Sequence, residues 1–296
     1  MSECTLCPRH CGADRVSGLG FCGVPDTLCV SRAALHYWEE PCISGENGSG
    51  TVFFSGCTLR CVYCQNREIS RGIAGKQISE ERLIEIFSEL QEKGAHNINF
   101  VTPDHYAVPI ARCITKAREN GILRVPVVMN TGGYVSDEIY RILSPVTDIW
   151  LTDYKYSDPL LSARYSAAPD YPDVAMNALT KMVNDTGAPV FDEDGMLVRG
   201  VVVRILVLPG YVDDAKKTVS SVYSRFGENV IYSLMNQYTP PAEGLPGYPE
   251  LCRTVSEEEY DELIDHAWDL GIRDAFIQEG GTQSESFIPP FDLEGV

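Results

Sequence analysis

Residues 51–66 read Thr51-Val-Phe-Phe-Ser55-Gly56-Cys57-Thr-Leu-Arg-Cys61-Val-Tyr63-Cys64-Gln-Asn66, an apolar run that stops at a glycine and enters three cysteines at x3 and x2 spacing. The run 51–55 has the β-branched and aromatic character of a strand. Outward from it the chain alternates short apolar runs with longer amphipathic ones, the pattern of βα units. Further strands are expected at 97–101, 125–129, 148–151, 200–208 and 230–235. A helix is expected over 79–93, with Leu83, Ile84, Phe87 and Leu90 at helical spacing and Gly94 closing it. Others are expected over 107–119, around Ile139, Ile142 and Leu143, and irregularly over 159–187 with interruptions at Pro169 and Pro172. Ser256-Glu-Glu-Glu259 has the form of a capping box and should start a last helix with Ile264 and Trp268 turned inward. Six strand–helix units with right-handed crossovers give an α/β fold, either an open doubly wound sheet or an incomplete barrel. In both, ligands gather at the carboxyl ends of the strands. Breaks in compactness are expected at the Gly/Ser-rich stretch 44–50 and the turn-prone stretch 191–195.

At 296 residues the chain exceeds one small core, so it forms one large domain or two. Hydrophobic residues at 44% and charged residues at 22% exclude a disordered or fibrous chain. Lys and Arg number 24 against 42 Asp and Glu, and the net charge of −18 repels phosphate backbones and anionic lipids. No nucleic acid and no membrane partner is expected. No apolar run of about 18 residues occurs, and the opening Met-Ser-Glu-Cys lacks the basic-then-apolar order of a signal peptide. A cytoplasmic protein is expected.

Eleven cysteines are too few for a disulfide scaffold, and in a reducing compartment clustered thiols point to metal or redox chemistry. Cys57, Cys61 and Cys64 fit one tight loop on the ligand face and suit an iron–sulfur cluster with one iron left open. The alternatives are a zinc knuckle or three neighbouring core cysteines, but no Cys or His follows within ten residues to close a zinc site. Cys4, Cys7, Cys11 and Cys22 form a complete set for tetrahedral zinc or a fully ligated second cluster. Pro8, Gly12, Gly18, Gly20 and Gly23 let that loop wrap a metal, and His10 and Cys29 are substitute ligands. Cys42, Cys113 and Cys252 read as buried structural thiols. The division expected is a Cys-rich metal module over 1–48 and the barrel, with a C-terminal extension, over 49–296.

The Cys-x3-Cys-x2-Cys motif after a first strand, with Tyr63 before the third Cys, resembles the radical S-adenosylmethionine (SAM) superfamily. The resemblance implies a partial (β/α)6 TIM-like barrel and a 4Fe-4S cluster on Cys57, Cys61 and Cys64. The open iron would chelate the amino and carboxylate groups of SAM. One electron would cleave the sulfonium C–S bond to methionine and a 5′-deoxyadenosyl radical, which abstracts hydrogen from a substrate. Cys61-Val-Tyr-Cys-Gln-Asn66 and Asp153-Tyr-Lys155 are similar to the glycyl-radical activating enzymes. The opening 4–11, the stretch 99–105 and the stretch 203–210 look like an uncharacterised subfamily labelled pyruvate formate-lyase activating-enzyme-like. The implied function is activation of a glycyl radical enzyme; the second reading is radical modification of a peptide or small molecule. A non-catalytic metal-binding interaction protein is the reading from a different class. The implied partners are a protein or small-molecule substrate and a reductant such as flavodoxin or ferredoxin, for which Arg9 and Arg15 would supply a local basic dock.

The resemblance also places site residues strand by strand. Where the superfamily has a Gly-Gly-Glu-like element for the methionine amino group, this chain has Thr102-Pro-Asp104-His105. Asp104 is then an amino-group ligand or a helix N-cap, and His105 a substrate-facing acid or base or a hydrogen-bonded structural residue. Asn130-Thr-Gly-Gly133 stands where activating enzymes carry an Asp-initiated motif, which removes a charge from any monovalent cation site shared with Asp153 and leaves Asn130 to donate to ribose or carboxylate. Asp153 and Lys155 alternate along a strand and point together into the barrel, where they must be paired or ligand-bound. The resemblance implies that Lys155 binds the SAM carboxylate, against a structural ion pair. Arg204, inside an otherwise apolar strand, requires a carboxylate or a ligand. Gln237, past the sixth strand, stands where activating enzymes often have a His. With Tyr63 and Thr102, these are the expected cofactor-binding residues.

Overall fold

The computed structural model describes residues 3–241, 243–278 and 289–296. Its strands are β1 (Cys29–His36), β2 (Ser49–Phe54), β3 (Lys76–Gln77), β4 (Ile98–Val101), β5 (Val127–Thr131), β6 (Ile149–Asp153), β7 (Val190–Phe191), β8 (Leu197–Leu206), β9 (Ile231–Met235) and β10 (Ala275–Ile277). They form one sheet ordered β10-β9-β8-β6-β5-β4-β2-β1-β3, with β7 paired to β8 off that path. The six expected strands correspond to β2, β4, β5, β6, β8 and β9, each parallel to its neighbour in that series. β10 continues the parallel series past β9. At the other end β1 lies antiparallel on β2, and β3 on β1. The sequence of β1 conceals it, because its residues are buried in adjacent pairs and its register slips between Val30 and Arg32, which erases the period-two signal.

Phe53 of β2 and Phe276 of β10, from distant strands in the sheet, line one cavity, so the sheet is curled into the expected partial barrel rather than left open and flat. The main core lies between the sheet and its outer helices. A smaller cluster sits inside the barrel, where Cys42 and Ile43 of the short helix Pro41–Ser44 meet Val128, Ile149, Leu151, Leu197 and Val202. Each such side chain contributes about 1.5–3 kcal/mol by burial, and together they close the end of the barrel remote from the cysteine loop. The stretch 44–50 is therefore not a break: Ser44, Ser49 and Gly50 are buried, and a Cβ on Gly50 would stand 2.8 Å from the Asn97 carbonyl oxygen.

The helices Glu80–Glu92 and Ala107–Glu119 lie where their periodicity puts them, the first capped by Ser79. The segment 159–187 splits into Pro159–Ser166 and Tyr171–Thr186 around Pro169, whereas Pro172 sits in the first turn of the second helix, where its missing N–H costs nothing. The capping box at Ser256 and Glu259 starts Glu257–Leu270. Three expectations fail here. Trp268 is 53% exposed, with the Arg273 guanidinium over its ring; Cys252 is exposed; and 191–195 is the turn of the β7–β8 hairpin rather than a boundary.

Candidate active site

A cavity of about 660 Å³ opens at the carboxyl ends of the parallel strands and runs into the barrel. It is lined by Cys57, Tyr63, Cys61, Cys64, Thr102, Asp104, Asn130, Asp153, Lys155, Arg204 and Gln237, so the fold brings together every expected cofactor-site residue from six segments of chain.

At one end stands the cysteine loop. Gly56 turns the chain out of β2 at φ +88°, and a Cβ there would come within 2.8 Å of the Cys22 carbonyl oxygen, so this position tolerates only glycine. Burial pushes the Cys57 thiol up to about 12, with Cys61 and Cys64 adding to the effect, and burial also raises the Cys64 thiol; these two lose their protons readily only to a metal. Donors face the sulfurs: the Leu59 amide donates to Cys57 Sγ at 3.4 Å, and the Ser166 hydroxyl to Cys61 Sγ at 2.9 Å, with Tyr156 Oη 2.7 Å from Ser166 Oγ. Such donors tune iron–sulfur clusters. The three sulfurs line one cavity as soft thiolate donors from a single loop, the ligand chemistry of an iron–sulfur cluster. The donor set thus fits a cluster. Tyr63 packs edge-on against Tyr156, Tyr165 and Tyr238 and makes that wall aromatic.

The second-strand end keeps a glycine-like backbone without the glycine: Thr102 sits at φ +58°, its amide bonded to the Asn130 carbonyl at 2.9 Å. Asp104 caps no helix; it is the first residue of the 3₁₀ turn Asp104–Tyr106, and its Oδ1 is buried without a partner. Burial raises its carboxyl to about 7, with Asp153 adding a smaller push. His105 faces away from the cavity lining. Its Nε2 donates to the Ser55 carbonyl at 2.8 Å and burial drops it to about 3, so it is the neutral, hydrogen-bonded alternative.

Deeper in, the charges pair. Arg204 Nε donates to Asp153 Oδ1 at 2.8 Å, Lys155 Nζ to Asp153 Oδ2 at 2.5 Å, and the Arg204 guanidinium also reaches Asn130 Oδ1 at 2.5 Å and Glu39 Oε2 at 3.2 Å. Asn99 and Asn130 donate to Glu39 Oε1 at 3.0 and 3.1 Å. Burial alone would raise the Asp153 carboxyl, but Arg204 and Lys155 outweigh it and hold it below its ordinary range. Burial likewise opposes the charge on Lys155, and Asp153 overcomes that and raises it. Asn130 is engaged by this network on both sides of its amide. Gln237 is fixed by Gln278, whose Nε2 donates to Gln237 Oε1 at 2.7 Å.

The model for the Radical SAM superfamily matches residues 51–222, more than half of the sequence. The chain belongs to the radical SAM superfamily. A curated relative, uncharacterized protein MJ0674 of Methanocaldococcus jannaschii, is 27% identical over 273 residues, covering 90% of this chain and 74% of the relative. Among solved structures, the chain is similar to SuiB of Streptococcus suis bound to S-adenosylmethionine, with TM-score 0.52 and 13% identity over 76% of this chain and 48% of that one. It is also similar to the radical SAM methyltransferase TsrM of Kitasatospora setae with tryptophan and a SAM analogue, with TM-score 0.51 and 12% identity over 83% of this chain and 56% of that one. The chain thus spans about half the length of these structures, and the likeness is one of fold. Radical SAM proteins use a 4Fe-4S cluster and SAM, which makes this chain an enzyme of radical chemistry. No helix among its described residues is long and apolar enough to cross a membrane.

Behind the cysteine loop of this radical SAM enzyme lie Cys4, Cys7, Cys11 and Cys22, outside the cavity. Burial pushes Cys7 up to about 11; the Arg9 amide opposes this, and Cys4, Cys22 and Cys11 add to it. The two cysteine sets touch through backbone, the Cys57 amide donating to the Cys22 carbonyl at 3.1 Å. Arg9 and Arg15 form no surface dock. The Arg9 guanidinium donates to the carbonyls of Thr58 at 2.7 Å, Leu59 at 3.2 Å, Ser166 at 2.6 Å and Ala167, and lies 4.3 Å over the Phe21 ring. Arg15 is buried and donates to the carbonyls of His105 and Pro25 at 2.7 and 2.6 Å. Carbonyls left over by the cysteine loop draw Arg9 inward, and those of Pro25 and His105 draw Arg15. Sequence reasoning missed Glu39 and Glu40; adjacent acids before a proline, at the end of the Tyr37-Trp38 pair, were the available signal.

Proposed function

We propose that this chain cleaves SAM reductively at Cys57, Cys61 and Cys64 and uses the resulting radical to take hydrogen from the Cα of a glycine in a partner enzyme. The observation that carries the first part is the meeting of three thiols with Asp104 and Lys155 in one cavity. When bound, a 4Fe-4S cluster supplies one electron to the C–S bond of SAM, giving methionine and a 5′-deoxyadenosyl radical that becomes 5′-deoxyadenosine on gaining the substrate hydrogen. Lys155 holds the SAM carboxylate, Asp104 takes its ammonium group, and the Tyr63 wall excludes water. The electron comes from a flavodoxin- or ferredoxin-class donor. The similarity of 61–66 and 153–155 to activating enzymes supports a glycine loop as substrate; a peptide or small molecule is the second reading. The four N-terminal thiols are assigned a structural zinc that braces the cysteine loop, with a second cluster as the alternative.

Anaerobic reconstitution, reduction with dithionite and chromatography of the products test the reading. The expected result is 5′-deoxyadenosine from SAM, and no product would refute the cleavage. With a candidate glycyl radical enzyme deuterated at glycine Cα, deuterium should appear in 5′-deoxyadenosine together with a glycyl signal in electron paramagnetic resonance. Cleavage without that transfer would refute the glycine substrate alone.

A further inference from the structure

Among the described residues, the cavity lining carries four carboxyl groups, Glu39, Glu40, Asp104 and Asp153, against two cations, Lys155 and Arg204. His36 does not redress the balance, because burial drops it to about 4 and leaves it neutral. Arg204 bridges Asp153 and Glu39, and Lys155 pairs with Asp153. Asp104 is accounted for by the ammonium group of SAM, if the function proposed above is correct. That leaves Glu40.

Glu40 is only 8% exposed, and its Oε2 is buried with no hydrogen-bond partner. Its carboxyl group is held in place. The residue initiates the helix Pro41–Ser44, its carbonyl accepting from the amides of Ile43 at 2.7 Å and Ser44 at 3.0 Å, which fixes its backbone at the cavity wall. Burial raises the carboxyl; Arg204, whose own hydrogen bonds go to Asp153, Asn130 and Glu39, is the charge that opposes this most, and the Ser233 hydroxyl donates to it. A buried carboxyl in that position costs several kcal/mol unless it is neutralised by a proton or matched by a cation. Tyr37 and Trp38, the two residues just before the Glu39-Glu40 pair, are exposed and line the same cavity. Aromatic faces and a carboxylate on one wall are the combination that selects organic cations.

We infer that Glu40 is the substrate-recognition residue for a cationic group, an ammonium or guanidinium, that enters the cavity past Tyr37 and Trp38. The cation is borne by a free amine or by a lysine or arginine side chain flanking the reacting carbon of a polypeptide. This assignment deepens the function proposed above and rests on it for the word substrate.

Calorimetric titration of the apoprotein tests it without turnover. The probes are n-butylammonium and n-butylguanidinium against n-butanol, and acetyl-Gly-Lys-Gly-amide against its norleucine counterpart. At least one cation is expected to bind the wild type about 10- to 100-fold more tightly than its neutral isostere, the worth of a charge-assisted hydrogen bond. Preference confined to the lysine peptide identifies a polypeptide source, and equal preference for butylammonium a small amine. Glu40→Gln should abolish the preference, and Glu40→Asp, which keeps the charge one methylene back, should retain it in weakened form should the glutamine variant fail to fold. Equal binding of cations and neutral isosteres by the wild type, or an undiminished preference in Glu40→Gln, overturns the assignment. Loss of SAM cleavage in the holoenzyme with the cation preference intact would instead refute the proposed function and leave Glu40 as a cation site.

Discussion

At one end of the cavity three thiols come from eight consecutive residues of a single loop, carry no ion pair and are met by an amide and a hydroxyl. At the other, Glu39, Asn99, Asn130, Asp153 and Arg204 come from five segments and hold one another by charge-assisted hydrogen bonds. The first is a site whose geometry is local and whose purpose is chemistry. The second is a site that exists only when the sheet closes, and its groups are costly to separate. The contrast implies that damage at the cysteine end removes activity and spares the fold, whereas damage at the charged end reaches stability first.

The largest effect tests the cysteine end. Cys57→Ala, Cys61→Ala and Cys64→Ala should each abolish 5′-deoxyadenosine formation, measured by chromatography, while changing unfolding free energy in urea by less than about 1 kcal/mol. The triple variant also isolates the N-terminal thiols: metal analysis should find zinc without iron, whereas iron with sulfide would make them a second cluster. Arg204→Met should do the opposite at the charged end. It strands Glu39 in the barrel, leaves Asp153 to Lys155, and should cost about 3–5 kcal/mol by chemical denaturation; a loss below about 1 kcal/mol would break the contrast.

Lys155→Ala lies between the two ends and sharpens it. SAM affinity should fall about 10- to 100-fold while the cluster absorbance of the reconstituted protein is unchanged. The remaining test is a slope. The Asp104 carboxyl is raised to about 7 in the folded chain from an ordinary 3.8, so the folded state holds a proton that the unfolded state has lost. Its contribution to stability is complete below about pH 4 and disappears as pH rises through about 7. In the apoprotein, Asp104→Asn should therefore remove a decline of stability across that window, measured by denaturation at several pH values. Identical pH dependence in variant and wild type would show that Asp104 is ionised throughout.

Local patterns in the chain were informative wherever one residue's neighbours in sequence were also its neighbours in space. The parallel strands, the helix Ala107–Glu119, the capping box at Ser256 and the cysteine loop are of this kind. β1 was not legible because both its faces are buried, and Trp268 was misplaced because helical spacing gives a face but not where that face ends. Arg9 and Arg15 read as surface charge in the sequence, because the carbonyls that hold them, Thr58 for Arg9 and His105 for Arg15, are distant in the chain.

The sequence by itself determined the α/β class, the three-thiol loop and the shared inward face of Asp153 and Lys155, because strand periodicity and short-range spacing act over a few residues. Only the tertiary structure decided that Arg204 meets Asp153 and Glu39, that Asp104 caps nothing, and that Glu40 Oε2 is left without a hydrogen-bond partner. Those outcomes depend on which buried charges a curled sheet brings within hydrogen-bond reach. A charge leaves no trace in sequence of the partner that neutralises it from about 165 residues away, as Glu39 and Arg204 are.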